Sequence, residues 1–335
     1  MAEANRRATS REVADAAGVS QATVSNVLNR PDVVAPETRE RVTRAMESLN
    51  FVVNRSAREL RMGSSEACGV IVLDIANPFW AQVTSGIESV TGPLERAVLL
   101  ASSGESTVKE RQLLHQLEAA GLLGLLVAPT GEHLDELWRI QARGTGVVLI
   151  DHDDATGRLP AVALDHVAGA RLATNHLIAQ GHRRIAMVNG SIQNHWCRDR
   201  RAGYEQVCRS AGITPLEVAV DGMTVASGFD CVSHLLAIDG LTAVFCVNDM
   251  VALGVLKGLS ERGVGVPEEI SVIGYDDSEF SAMLSPALTT VRQSAFAIGA
   301  AAARVLFNIE SVESANRSLE APVLVDRQSV VPARY

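Results

Sequence analysis

The chain has 335 residues, a hydrophobic content of 47% and a formal net charge of −9. Its length favours two or three globular units over one core, and its apolar content is ample for packed interiors. The charge is uneven, because residues 1–62 hold 10 arginines against 8 acidic residues, whereas the remainder holds 20 basic against 31 acidic residues. This balance permits nucleic-acid binding near the N-terminus and disfavours non-specific DNA contact elsewhere.

Five scattered cysteines without a CxxC pair are typical of reduced buried thiols, and they exclude a disulfide framework or a zinc site. The first ten residues lack the apolar region of a signal peptide, and no apolar run reaches the roughly 18 residues of a membrane helix. The sequence therefore predicts a soluble, cytoplasmic protein with no membrane segment, no metal and no cofactor.

Residues 9–29, TSREVADAAGVSQATVSNVLN, carry the signals of two short helices. Thr9 caps the first helix and Glu12 completes a capping box, while Ser20 caps the second. Gly18 permits the tight turn between them. Two helices joined in this way form a helix-turn-helix, whose second helix can lie in the major groove of DNA. On this fragment alone an ordinary helical hairpin is an equal alternative.

A third helix is predicted over residues 37–49, because apolar residues recur at helical spacing from Val42 onward. Residues 50–63 are too short to form a domain, and they contain a helix-capable segment at 55–61. This stretch is either a plain linker or a hinge that becomes helical on DNA.

From Cys68 onward, apolar runs alternate with amphipathic stretches. Strands are predicted at 69–73, 97–101, 124–128, 147–150, 185–188, 217–220, 243–247 and 271–275. Helices are predicted at 79–90, 108–120, 133–142, 168–180, 201–211, 227–238 and 250–262. This alternation indicates parallel sheets covered on both faces, arranged as two lobes or as a (β/α)8 barrel.

The chain resembles the LacI/GalR family of bacterial transcription regulators over essentially its full length. The matching segments are EVADAAGVSQATVSNVLN (12–29), APETRERVTRAMESLNF (35–51), NRSARELR (54–61), NPFW (77–80), GHRRIAMVNG (181–190), RRAGY (200–204), AVFCVND (243–249), GVPEEISVIGYDD (265–277), PALTTVRQ (286–293) and LVDRQSVV (324–331).

The resemblance implies an N-terminal all-α helix-turn-helix domain (1–53), a hinge helix or linker (54–63) and an α/β effector-binding core (64–335). That core would have two Rossmann-like lobes, like a periplasmic binding protein. Lobe one would comprise about 64–164 and 294–323, and lobe two about 165–293 and 324–335. A helix at 295–307 would pack on lobe one.

The resemblance also implies which residues contact double-stranded operator DNA. Gln21, Ala22 and Asn26 would read bases in the major groove. Phosphate contacts would come from Thr23, Ser25, Asn29 and Arg58. Leu60 would wedge into the minor groove, which needs two hinge helices and hence a homodimer on a pseudo-palindrome.

Ligands of paired α/β lobes bind at the carboxyl ends of strands, in the cleft between the lobes. The residues implied for this effector site are Asp276, Arg200, Asn248, Asp151, Phe79, Trp80 and Trp196. Phe79 and Trp80 would cap the first helix of lobe one, and Trp196 would lie in a loop.

Purely structural roles remain open for several of these residues: an Asp276–Arg200 ion pair, and core packing for Trp80 and Trp196. Asp249 is predicted to cap its helix rather than to bind ligand. A sugar or sugar derivative suits the acids, the arginine and the indoles. The alternative effector is a purine corepressor, although Asn194 stands where that branch of the family would want a second arginine.

No catalytic motif or ligand spacing for a metal occurs in the chain, which predicts a regulator rather than an enzyme. A stand-alone sugar-binding protein is a remote alternative, because it would need a signal peptide and would not need residues 9–61. The predicted function is a DNA-binding transcriptional repressor controlled by a small ligand.

Overall fold

The computed structural model describes residues 8–51, 67–131 and 134–334, which fall into a small helical unit and a larger α/β unit. The predicted hinge, including Arg58 and Leu60, lies outside the described residues. None of the helices in the described part of the chain is long and apolar enough to cross a membrane.

The small unit is built from three helices, α1 (Ser10–Ala17), α2 (Gln21–Asn29) and α3 (Pro36–Ser48). The predicted capping box forms between Thr9 and Glu12, and Gly18 ends α1 with a φ of 64°. That left-handed conformation favours glycine and turns the chain into α2. Each of the three helices buries one apolar face, and these faces form the core of the unit: Val13, Ala14, Ala17, Val24, Val42 and Ala45.

The first sheet of the α/β unit is parallel and has five strands in the order β2-β1-β3-β4-β5. Its strands are β1 (Cys68–Val72), β2 (Val98–Ser102), β3 (Gly124–Val127), β4 (Gly146–Ile150) and β5 (Ala161–Val162). Its helices are α4 (Pro78–Thr91), α5 (Thr107–Ala119) and α6 (Asp135–Ala142). We call this sheet, together with its helices, lobe one.

The second sheet is also parallel and has four strands in the order β7-β6-β8-β9. Its strands are β6 (Ile185–Asn189), β7 (Leu216–Ala219), β8 (Ala243–Cys246) and β9 (Ser271–Ile273). The helices that cover it are α7 (His166–Ala179), α8 (His195–Ser210), α9 (Val225–Asp230), α10 (Val232–Leu236) and α11 (Asp249–Glu261). We call this unit lobe two. Two separate parallel sheets exclude the (β/α)8 barrel.

Two short antiparallel strands, β10 (Thr290–Arg292) and β11 (Val323–Val325), pair where the chain leaves lobe two and returns to it. Between them lie α12 (Ala295–Leu306) and α13 (Val312–Ser318). Helix α12 packs on α4 so closely that a Cβ added at Gly299 would lie 2.0 Å from the carbonyl oxygen of Val83. The helix predicted at 295–307 therefore packs on lobe one.

The boundaries of three predicted elements were wrong. Helix α8 begins at His195, six residues before the predicted start, which brings Trp196 from a predicted loop into the first helical turn. The segment predicted as one helix at 227–238 is divided into α9 and α10 at Cys231. A 3-10 helix, Pro31–Val33, stands where a polar loop was expected.

Candidate functional site

The exposed face of α2 carries the three residues predicted to read bases. Gln21, Ala22 and Asn26 are all exposed, and their side chains form no hydrogen bond with any other described residue. Ser20 accepts a hydrogen bond from the backbone N–H of Thr23 at 3.1 Å, and this cap fixes the start of the helix. The amide and apolar groups of this face are therefore held on a rigid helix, ready to meet base edges.

Of the residues predicted to contact phosphates, Thr23, Ser25 and Asn29 lie in the described part of the chain, and they already have partners in α2 or at its N-cap. The Thr23 hydroxyl lies 2.9 Å from that of Ser20. Asn29 donates through Nδ2 to the carbonyl oxygen of Ser25 at 2.8 Å and to its hydroxyl at 3.2 Å. These bonds leave the hydroxyl of Thr23 and the Oδ1 of Asn29 with further hydrogen-bonding capacity.

The core contains a small cavity between the lobes, at the carboxyl ends of the strands. All seven residues predicted for the effector site line it: Phe79, Trp80, Asp151, Trp196, Arg200, Asn248 and Asp276. Leu73, Asn77 and Met223 complete the wall. The cavity volume is about 20 Å³, which is room for one water molecule. A ligand of sugar size therefore enters only when the lobes separate or the wall rearranges.

Arg200 lies at the centre of this wall and is almost fully buried, with 4% of its surface exposed. Its Nη1 donates to the carbonyl oxygen of Val247 at 2.5 Å, and its Nη2 lies 3.4 Å from Oδ1 of Asp276. The guanidinium also stacks over the Tyr275 ring at 3.8 Å. The structural pairing of Arg200 with Asp276 is thus present, although the contact is long, and Nε of Arg200 has no partner among the described residues.

Asp276 is held in a backbone conformation that side chains rarely adopt, with a φ of 104°. Gln293 donates to its Oδ1 at 3.0 Å. Burial raises the pKa of Asp276 to about 6, although the positive charge of Arg200 acts to lower it. A ligand hydroxyl that donated to this carboxylate would supply the hydrogen bonding that burial removes.

Asp151 directly follows β4 and also has a positive φ, of 54°. Its Oδ1 accepts from Nε2 of His166 at 2.9 Å, in lobe two. Burial opposes ionisation of this carboxyl, but the contact with His166, together with smaller contributions from His195 and Arg200, outweighs it and lowers the pKa of Asp151 to about 2. Asp151 and His166 therefore tie the lobes together beside the cavity.

The helix caps around the cavity differ from the prediction. Asn77, not Phe79 or Trp80, caps α4, because its Oδ1 accepts from the backbone N–H of Phe79 at 3.0 Å. Phe79 and Trp80 form the first turn instead, with ring centroids 5.0 Å apart. An Asn directly before Pro78 is a helix-start signal that would have found this cap in the sequence.

A second cap was also assigned to the wrong residue. Asn248 caps α11 by accepting from the backbone N–H of Val251 at 2.9 Å. Asp249, predicted to be the cap, is fully buried and accepts three hydrogen bonds, from Ser278, Ser281 and Thr290. Asn248 still reaches the cavity, and its Nδ2 donates to the carbonyl oxygen of Met223.

Met223 is a cavity residue that sequence reasoning missed. Its sulfur lies 3.3 Å from Nε1 of Trp196 and 3.6 Å from Sγ of Cys197. It sits in a loop with no apolar periodicity, so no local pattern marks it. Among the described residues no three His, Cys, Asp or Glu side chains form a group that could hold a metal ion.

Comparison with known proteins agrees with this architecture. Residues 9–54 match the family described as bacterial regulatory proteins, lacI family, and residues 174–330 match a periplasmic binding protein-like domain. The repressor PurR of Vibrio atlanticus (strain LGP32) is 33% identical, with 96% of this chain and 98% of that protein covered. Catabolite control protein A of Priestia megaterium is 35% identical, over 90% of this chain and 93% of that protein.

Solved structures extend the similarity to nearly the whole fold. The lac repressor dimer bound to operator and the anti-inducer ONPF superposes with a TM-score of 0.82 at 29% identity, covering 97% of this chain and 100% of that one. The regulator CelR in complex with cellobiose has a TM-score of 0.68 at 29% identity, covering 96% and 100%. The chain belongs to the LacI family of bacterial regulatory proteins, and it is a DNA-binding transcriptional regulator with a two-lobe effector-binding core.

Proposed function

We propose that this protein is a repressor that binds a palindromic operator as a homodimer and is controlled by a sugar or sugar derivative between its lobes. Its working parts would be a DNA-binding domain (1–53), a hinge (54–63) and an effector-binding core (64–335). The proposal of an effector site rests on one observation: all seven residues predicted for that site line a single cavity between the lobes. Because its operator is chromosomal DNA, we place its action in the cytoplasm.

The exposed face of α2 supports base reading by Gln21, Ala22 and Asn26. Glutamine and asparagine amides pair bidentately with adenine, and an alanine methyl contacts the methyl group of thymine. Thr23, Ser25 and Asn29 lie beside this face, where their remaining hydrogen-bonding capacity suits phosphates. In the proposed complex Leu60 of the hinge enters the minor groove and Arg58 meets a flanking phosphate.

The edge of lobe one supports the homodimer. Strand β2 is an edge strand, yet Leu99 and Leu100 are exposed at 45% and 38% of their surface. Adjacent exposed leucines on an unpaired edge favour association with a second apolar surface. The similar lac repressor is itself a dimer on its operator, so a second copy of this chain is the partner we propose.

The chemistry of the cavity supports a hydroxylated effector. Asp276 and Asp151 offer acceptors, Arg200 and Asn248 offer donors, and the indoles of Trp80 and Trp196 offer apolar faces. One relative of known structure, a regulator of Enterococcus faecium, is described with bound ribose. A ligand here would alter the separation of the lobes and hence the hinges of the dimer, which shifts it between DNA-competent and incompetent states.

A purine corepressor is the second candidate, because several relatives, including that of Vibrio atlanticus, are described as the repressor PurR. Asn194 weighs against it, since its amide is engaged with Glu105 and supplies no positive charge. Catalysis is not part of the proposal, because the named relatives are transcriptional regulators.

A truncation experiment tests the proposal. The full chain and a chain lacking residues 1–62 are compared for binding to the DNA upstream of the gene, at fixed salt and with a scrambled duplex as control. We expect only the full chain to bind this DNA specifically. A sugar that alters the DNA binding of the full chain should bind both chains with equal affinity in calorimetry. Specific DNA binding by the truncated chain would overturn the regulator mechanism. If deletion of residues 1–62 also abolished sugar binding, the placement of the effector in the core would be overturned.

A further inference from the structure

One residue of lobe one, Asp151, is held by two histidines of lobe two. Nε2 of His166 lies 2.9 Å from Oδ1 of Asp151, and the ring of His195 bonds to the backbone of the same aspartate. Asp151, His166 and His195 are all buried, with 4%, 3% and 9% of their surface exposed. Because the histidines lie on α7 and α8 and Asp151 directly follows β4, both contacts cross between the lobes. We call these two contacts the interlobe latch.

The surroundings of His166 show which of its nitrogens carries the proton. Nη2 of Arg200 lies 3.4 Å from Nδ1 of His166, and a guanidinium can only donate. Nδ1 is therefore the acceptor of the neutral ring, and Nε2 donates its proton to the carboxylate of Asp151. A hydrogen bond to a charged acceptor is stronger than one between neutral groups, and here both partners are shielded from water.

The backbone of Asp151 also depends on its surroundings. Its φ of 54° is unfavourable for a residue with a side chain, and such a conformation persists only where several contacts hold it. Its Oδ1 accepts a further hydrogen bond from the backbone N–H of Leu164 at 3.3 Å. Leu164 lies between β5 of lobe one and α7 of lobe two. The latch therefore fixes Asp151 beside the segment that connects the lobes.

Asp151 belongs to the latch and also lines the effector cavity. While the latch is formed, this cavity has a volume of about 20 Å³, which is room for one water molecule. A larger ligand requires the lobes to move apart, and the latch joins them beside the cavity. Entry of an effector and integrity of the latch therefore oppose each other.

We propose that the interlobe latch is an autoinhibitory contact, in which His166 holds the ligand-free lobes closed and has to release Asp151 before an effector enters. This inference rests on the proposed function of the cavity. His166 is a positioning residue in this scheme, because it acts through Asp151. A hydroxylated effector replaces the lost bond by donating to the same carboxylate, so its binding offsets the cost of opening the latch.

Hydrogen exchange followed by mass spectrometry, on the full chain without ligand or DNA, tests the latch. The reporter segment is residues 191–199, which contains the first turn of α8. The first amides of a helix have no partner within it, and the side chains of His195 and Trp196 bury this turn. Exchange of these amides therefore increases with the fraction of molecules in which the lobes are open.

Two substitutions of His166 separate its hydrogen bonds from its volume. His166→Phe keeps a ring but leaves the carboxylate of Asp151 buried without its donor, which favours the open, hydrated state. We expect the reporter to exchange about tenfold or more faster in this variant. His166→Gln keeps a donor and an acceptor and should exchange more slowly than His166→Phe. His234→Phe, at an exposed histidine of α10, is the matched control and should leave the exchange unchanged.

Three results would overturn the proposal. Unchanged exchange in His166→Phe would show that the latch does not hold the lobes, and faster exchange in His166→Gln than in His166→Phe would show that His166 acts through its volume. Equal acceleration of the segment that forms α11 (Asp249–Glu261) would mean that His166 only stabilises lobe two.

A second variant keeps the test decisive if His166→Phe does not fold, as judged by circular dichroism. His195→Phe keeps a ring and removes the other imidazole of the latch, so it should also accelerate exchange of the reporter, and unchanged exchange would contradict the proposal. Because neither sugar nor DNA is present, a negative result here leaves the proposed repressor function intact.

Discussion

Asn194 of lobe two donates a hydrogen bond through Nδ2 to Oε2 of Glu105 in lobe one, at 3.2 Å. Asn194 stands at the N-cap position of α8, yet its side chain makes no capping bond. Burial raises the pKa of Glu105, and the bond from Asn194 opposes that rise. The amide therefore serves the contact between lobes instead of its own helix.

This contact predicts an energetic coupling between the two residues. Hydrogen bonds to charged groups contribute about 1.5–3 kcal/mol, and here Asn194 is buried while Glu105 is half-buried. A double-mutant cycle of Asn194→Ala and Glu105→Ala on the urea unfolding free energy should show about 1 kcal/mol of coupling or more. Strict additivity would mean that the lobes stand apart in solution.

The recognition surface on α2 predicts a loss of sequence discrimination. Asn26→Ala and Gln21→Ala should each weaken operator binding by about 1–3 kcal/mol and leave binding to scrambled DNA nearly unchanged, because a lost bidentate amide–base pair removes only the specific part of the energy. Fluorescence anisotropy with both duplexes measures this, and Ala16→Ser on the exposed side of α1 is the matched control. Equal losses on both duplexes would assign these side chains to phosphates.

The exposed edge of lobe one predicts a monomerising substitution. Leu99→Glu/Leu100→Glu should raise the dimer dissociation constant by about a hundredfold or more, because a buried unpaired charge costs several kcal/mol. Sedimentation velocity measures the change. Leu172→Glu on α7, a leucine exposed to a similar degree at 37%, should leave the dimer intact. A dimer that survived the β2 substitutions would place the interface elsewhere.

Asp249 predicts a pH dependence of stability. Burial and the charge of Asp276 raise its pKa from 3.8 to about 7, against the donors Thr290 and Ser281. The folded protein thus binds a proton that the unfolded chain releases between pH 4 and 7. The stability contributed by this group is complete below about pH 4 and is lost as the pH rises through 7, by up to about 1.4 kcal/mol per unit.

The test of this pH dependence is the variant Asp249→Asn. Between pH 5 and 8, the unfolding free energy of the variant, measured with urea, should decline less steeply than that of the unaltered protein. Exposed Asp221→Asn should not change the slope. Parallel curves for the unaltered protein and Asp249→Asn would show that the Asp249 carboxyl titrates at its ordinary value.

Local chemistry made much of the fold predictable. Thr9 and Glu12 have the spacing of a capping box, and it forms. Continuous apolar runs marked eight strands of the two parallel sheets, because strands covered on both faces contain few polar residues. The two-residue β5 and the short pair β10–β11 were missed, since two or three residues show no periodicity.

Contacts between distant parts of the chain explain what the sequence did not reveal. The start of α8 at His195 is buried between the lobes, so it lacks the alternating polar face that marks a surface helix. The bonds from Asn194 to Glu105 and from His166 to Asp151 join residues far apart in the chain. The positions of the effector residues followed from the family resemblance, which also left open the pairing of Asp276 with Arg200, whereas the bond between Asp151 and His166 emerged only from the structure.

In the proposed mechanism, a sugar bound between the lobes controls operator binding. The most direct measurement is anisotropy of the upstream duplex with a panel of sugars and purines, for the unaltered protein and for Asp276→Asn. We predict that one sugar changes operator affinity by about tenfold or more, a coupling of about 1.4 kcal/mol, and that Asp276→Asn binds DNA normally but loses the response. A response to purines alone, or a sugar response that survives Asp276→Asn, would contradict this account.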